Sequence, residues 1–297
     1  MRWLDNSESE NVDDRRGGGG GLAIGGGIGT LVIGLIVYLL GGDPSTLFNG
    51  QPSASQYDSP TMPGAQSGQT VGQQPDGPQP DDAAAQFTRR VLASTEKIWP
   101  RLLAQQGIQY QKPTLVMFRQ VTQSGCGTAQ EAMGPFYCPL DQKVYIDLSF
   151  YDELAQRFQA PGEFAMAYVV AHEIGHHIQK ELGIMDKVDR LREQMSEREY
   201  NKVSVRLELQ ADYFAGVWAH HAQGQSFVLD KNDVESALTA ANAIGDDKIQ
   251  EQTQGRIVPD AFTHGTSAQR VYWFSKGLKT GDITQGDTFN SREDANL

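Results

Sequence analysis

The plainest chemistry in this sequence lies between Glu163 and Gly183, where the chain reads His172-Glu173-Ile174-Gly175-His176. On a helix, residues four apart sit one above the other, so His172 and His176 can aim two imidazoles at one ion. Glu173 follows about 100° round the axis, near enough to take a proton from an attacking water. Zinc suits this set, because neutral imidazole is a good ligand for it and the ion accepts an open fourth position. Phe164, Tyr168, Ala171, Gly175 and Ile178 recur at helical spacing, and nothing interrupts the run before Gly183. A buried helix with two carbonyl-bonded histidines would explain neither the glutamate nor the spacing.

A third ligand is expected downstream. RLELQADYFAGVWAHHA reads as a second helix through Leu207, Ala211, Phe214, Ala215 and Trp218, which sets Glu208 and Asp212 four apart on one face. Glu208 can complete a site for one zinc per chain. Asp212 can accept the second ring N–H of a ligand histidine and so fix its tautomer. Their neighbours are apolar, and burying two carboxylates without a cation would be costly. This E-x-x-x-D after H-E-x-x-H resembles the gluzincin class of metallopeptidases.

With GPFYCPLDQKVYIDLSFYDEL, AYVVAHEIGHHIQ, VRLELQADYFAGVWA and AIGDDKIQEQTQGRIVPDAFTHGTSAQRVYWF in view, the chain resembles the neutral zinc metallopeptidases of bacteria, the YpfJ-like family. The resemblance covers the opening MRW, an apolar segment and nearly everything from about Ala84 onward. It implies a reaction type more firmly than a biological role. One departure is that relatives often carry cysteines where this chain has Tyr213 and Gly286, so a second disulfide expected from the resemblance is missing.

Composition limits what else the chain can do. A net charge of −12 and a pI near 4.9 argue against nucleic-acid binding and against adsorption to anionic lipid through a basic face. Residues 1–21 read as a short charged tail. Leu22–Leu40 carries no charge and is long enough to span a roughly 30 Å hydrocarbon core, so one transmembrane helix is expected over 22–40. No small-x-small cleavage site follows, which favours an uncleaved anchor over a signal peptide. Arg2, Arg15 and Arg16 precede this run and no Lys or Arg follows it until Arg89. The positive-inside rule therefore puts the tail in the cytoplasm and the rest outside it, at a bacterial inner membrane with the main domain periplasmic. Residues 41–83, rich in Gln, Pro, Gly and Ser, read as a flexible linker, because they have too few apolar side chains to offset the entropy of ordering.

The domain over 84–297 opens with an amphipathic helix, bent or ended near Pro100. Two β-type runs follow, PTLVMFRQV and KVYIDLSF. Cys126 and Cys138, the only cysteines, are expected to form a disulfide, since an exported domain lies where such bonds persist. The remainder is helix-rich, including roughly Lys231–Ala243. The expected class is α+β: a zincin-like, mostly helical domain with a small β-sheet. By analogy with zincins, KVYIDLSF is the candidate edge strand for pairing with an extended polypeptide substrate. His264 and Arg270 could donate to a developing oxyanion. His177, His220 and His221 point away from the ligand face or lie too far along the next helix.

Two functions follow from these residues. One is a membrane-anchored metallopeptidase in which Glu173 is the general base. The other is a non-catalytic envelope assembly protein with a retained metal site, which would have no use for Glu173.

Overall fold

The computed structural model describes residues 1–16, 83–130, 134–160 and 162–294. The expected transmembrane helix 22–40 and almost all of the linker 41–83 lie outside the described residues. Among the described residues, no helix is long and apolar enough to cross a membrane.

The first residues differ from expectation. Where the sequence suggests a tail separate from the domain, Met1–Arg16 is an arm folded onto it. Strand β1 (Arg2–Trp3) pairs antiparallel with the later strand Phe227–Val228, and β2 (Val12–Asp14) pairs parallel with Thr114–Phe118. Trp3 meets Phe87 and Phe227 edge-on, at 5.7 and 5.6 Å between ring centroids. Composition conceals this, because Trp3 is one of only a few apolar residues in a charged stretch and its partners are remote in sequence. Trp3→Ala is expected to destabilise the domain by about 3 kcal/mol in urea unfolding, as loss of a packed aromatic does. A free tail would give no change.

Helix α1 (Ala83–Ala104) buries Phe87, Val91, Leu92, Ile98, Trp99 and Leu103 along one face. Pro100 sits inside it and forfeits one internal hydrogen bond without ending the helix. Strand β3 (Thr114–Phe118) leads to the hairpin of β4 (Val121–Ser124) and β5 (Gly127–Gln130). Next come β6 (Phe136–Cys138) and β7 (Lys143–Asp147). The main sheet has the order β2-β3-β7-β6. β3 and β7 pair in parallel, Leu115 with Val144 and Met117 with Ile146. Their central residues, Leu115–Phe118 and Val144–Ile146, are all buried, as in strands covered on both faces.

KVYIDLSF is therefore an interior strand, which corrects its expected place at the edge. A tight turn folds β6 back antiparallel to β7, so the shorter strand of that hairpin takes the outside position. The Cys126–Cys138 disulfide, as expected, ties the β4–β5 turn to the end of β6.

The helical body comprises α2 (Phe150–Gln156), α3 (Glu163–Glu181), α4 (Ile184–Arg192) and α5 (Glu197–Ala222). After β8 (Phe227–Val228) come α6 (Lys231–Ala243), α7 (Asp246–Gln254) and α8 (Ser267–Thr280). The class is α+β, mostly helical. Helix α3 is buried from Phe164 to Gln179, hence apolar on nearly every side. A Cβ on Gly175 would lie 2.8 Å from the Ala211 carbonyl oxygen, so only glycine lets α5 come this close to α3. Gly216 and Gly277 seat α8 on α5 in the same way.

Tyr213 and Gly286, the two positions where the resemblance leads one to expect cysteines, are complementary. The Tyr213 ring fills the space beside Gly286, where a Cβ would stand 2.6 Å from it. Its hydroxyl bonds Thr280 and the Asp282 carbonyl.

Candidate metal centre

The close seating of α5 on α3 brings Glu208 over the two histidines. His172 Nε2 lies 3.2 Å from one Glu208 oxygen, and His176 Nε2 lies 3.5 Å from the other. The donor atoms of His172, His176 and Glu208 all lie within 4.8 Å of one another. Tetrahedral zinc with bonds of about 2.05 Å sets its ligand atoms about 3.3 Å apart, so spacing and donor chemistry both fit that ion.

Each imidazole is held by its other nitrogen. His172 Nδ1 is 2.8 Å from Asp212 Oδ1, the orienting contact that the sequence suggests. His176 Nδ1 is 2.8 Å from Gln179 Oε1, and the Gln179 amide donates to the Leu207 carbonyl and to Gln210. Sequence reasoning missed Gln179. Its signal was a polar residue one turn beyond His176 on the face toward α5. Because such partners set ligand orientation and basicity, Gln179→Leu is expected to weaken zinc affinity about 10–100-fold by competitive chelation, with the fold retained.

Asp212 has no exposure and a full set of partners. Besides His172 it accepts from the Tyr168 hydroxyl at 2.5 Å and from Arg270 Nε and Nη2 at 2.8 and 3.0 Å. Arg270 is thus turned to Asp212, with further bonds to the Ile244 carbonyl and Tyr168, and is itself buried. Burial would raise the Asp212 pKa, but the charges of Arg270 and His172 outweigh it and hold the carboxyl at about 2. Burial would lower the His172 pKa, but Asp212 and the Glu208 bond push it up to about 10. A zinc ion would need the neutral ring, so its binding would release that proton.

Glu173 stands beside the ligands without joining them. Burial raises its pKa, offset in part by His172, by His176 and by a hydrogen bond from the Tyr137 backbone on β6. Tyr137 is anchored in turn, since its hydroxyl donates to His177 Nδ1 at 3.1 Å while His177 Nε2 donates to the Gln111 carbonyl at 2.6 Å. His177 is therefore a structural tie, as its position on the helix suggests. His220 and His221 bond carbonyls around Leu278 and Gly281, away from the site.

His264 lines the same cleft from the far wall. Asp246, at the start of α7, gathers the backbone N–H groups of Thr263, His264 and Gly265 on one oxygen. Its other oxygen lies 3.1 Å from His264 Nδ1. The side chain is half exposed at the cleft. Burial lowers the His264 pKa, but Asp246 and Glu208 reverse that and raise it. Asp246 was not picked out from the sequence, because the loop it organises is eighteen residues away.

The cleft of about 590 Å³ runs between the β4–β6 side and α7, with Phe136, Phe158, Val169 and Ile249 among its apolar walls. A family model described as "Putative neutral zinc metallopeptidase" matches residues 1–289. The chain belongs to that family. Among relatives, it is 48% identical to YpfJ of Escherichia coli (strain K12) over 97% of this chain and 99% of that protein. It is 41% identical to Mb2605 of Mycobacterium bovis over 69% of this chain and 71% of that protein. No solved structure matches. The family's zinc assignment and the cluster of His172, His176 and Glu208 point to the same ion.

Proposed function

We propose that this protein is a zinc-dependent metalloendopeptidase acting on exported polypeptides and attached to a membrane through 22–40. The observation that carries the reading is Glu173 set beside three zinc-type donors in a cleft bordered by the outermost strand β6. A zinc ion held by His172, His176 and Glu208 would supply a Lewis acid and lower the pKa of water to about 7. Glu173 takes the proton as water attacks the scissile carbonyl, then passes it to the leaving amine. The outer edge of β6 offers main-chain groups to an extended peptide. His264, its Nδ1 held by Asp246, presents Nε2 to the developing oxyanion. The disulfide favours an oxidising compartment for the domain.

The test uses the full chain. Purified protein should carry one zinc and hydrolyse casein, lose that activity to a chelator, and regain it on zinc addition. Zinc-loaded, folded protein that leaves casein and other unfolded polypeptides intact would sink the enzymatic reading.

A further inference from the structure

The arm of residues 1–16 is bonded to the body at many separate points. Leu4 and Asp5 donate their backbone N–H groups to the Ser226 carbonyl, and Ser9 donates to the Arg89 carbonyl. Leu115 donates to the Asn11 carbonyl and Arg15 to the Met117 carbonyl, extending the β2–β3 ladder at both ends. Ser9 and Asn11 both reach Glu96, at 2.8 and 2.7 Å, and Asp5 pairs with Lys97. Asp14 pairs with Arg16 and with Arg89. Arg15 bonds Thr122 and the Gln123 carbonyl, bracing the hairpin that walls the cleft. The family match, too, begins at residue 1 and so includes the arm.

This bears on topology. Under the positive-inside rule, Arg15 and Arg16 hold the N-terminus in the cytoplasm as free charges. Both are engaged by carboxylates of the arm, and Arg15 by the body as well. Pulling the arm away would strip β3 of its neighbour on one side, leave buried Ser9 and Glu96 without each other, and expose the pocket around Trp3. An unpaired strand edge beside a parallel sheet is a liability that folded proteins avoid. The two ends of the intervening chain also start from neighbouring points. Asp14 touches Arg89, which lies about 9 Å along the axis from the start of α1.

We infer that the arm and the body occupy the same side of any membrane this chain enters. A single crossing between a cytoplasmic N-terminus and an exported domain is incompatible with the seated arm. The inference concerns topology and stands or falls apart from catalysis.

The test labels the full-length protein in spheroplasts. The native cysteines are both in the disulfide, so an added thiol reports cleanly. Ser7→Cys marks the exposed outer part of the arm, and Lys231→Cys marks the body at an exposed position. A membrane-impermeant maleimide should label both before lysis or both only after it. Labelling of one before lysis and of the other only after it overturns the inference. As a second readout, Arg2→Cys with Val228→Cys joins register partners of β1 and β8. On mild oxidation, the membrane fraction should lock as fully as the soluble fraction. A lock that forms in the soluble fraction and fails in the membrane fraction would mean that the arm leaves its seat at the membrane, which also overturns the inference.

Discussion

Glu173→Gln is expected to keep the fold and the zinc while lowering peptide hydrolysis by about 10²–10⁴, the usual contribution of a positioned proton transfer. The side chain is buried next to His172 and His176 but lies outside the cluster of three donor atoms, so an isosteric amide should disturb neither ligand. What the amide cannot do is accept a proton. Elemental analysis and single-turnover hydrolysis measured on the same preparation separate the two effects. A variant with full zinc and full rate would remove Glu173 from the chemistry. One that loses zinc would make it part of the binding site.

Asp212→Ala is expected to destabilise the domain by about 3–5 kcal/mol in urea unfolding, because it leaves the Arg270 charge buried with no counter-ion. The Tyr168 hydroxyl and the His172 ring N–H lose their acceptor in the same step. Zinc affinity should fall as well, by about 10–100-fold for the lost orienting contact. The double variant Asp212→Ala/Arg270→Leu separates these losses. It should recover much of the stability, since a buried pair replaced by apolar groups is often tolerated, while zinc affinity stays low. Zinc lost almost entirely in both would make Asp212 a ligand.

The pH dependence has a definite sign. Asp212 has its pKa held at about 2 in the folded protein, against about 3.9 for a free aspartate. Its contribution is fully present above the unfolded value and is lost as pH falls through the folded one. The acid limb of the stability curve should therefore shorten in Asp212→Asn.

Local spacing was enough to place His172, Glu173, His176, Glu208 and Asp212 on two helices, because a period of four residues is a property of the helix itself. The disulfide was legible for a similar reason: there were only two cysteines, close together in sequence. What tertiary structure decided were the contacts between segments far apart. Arg270 could be read as a substrate-facing donor until α8, seated on α5 through Gly216 and Gly277, turned it onto Asp212. Asp246 and Gln179 acquired roles only when a loop and a neighbouring helix came within hydrogen-bond reach. KVYIDLSF has the composition of a strand, but whether it lies inside or at the edge depends on which neighbours pair with it, and a strand's own residues do not encode that. The arm is the plainest case. Its charges describe a tail in water, and only the partners waiting at Phe87, Glu96, Met117 and Phe227 make it part of the domain.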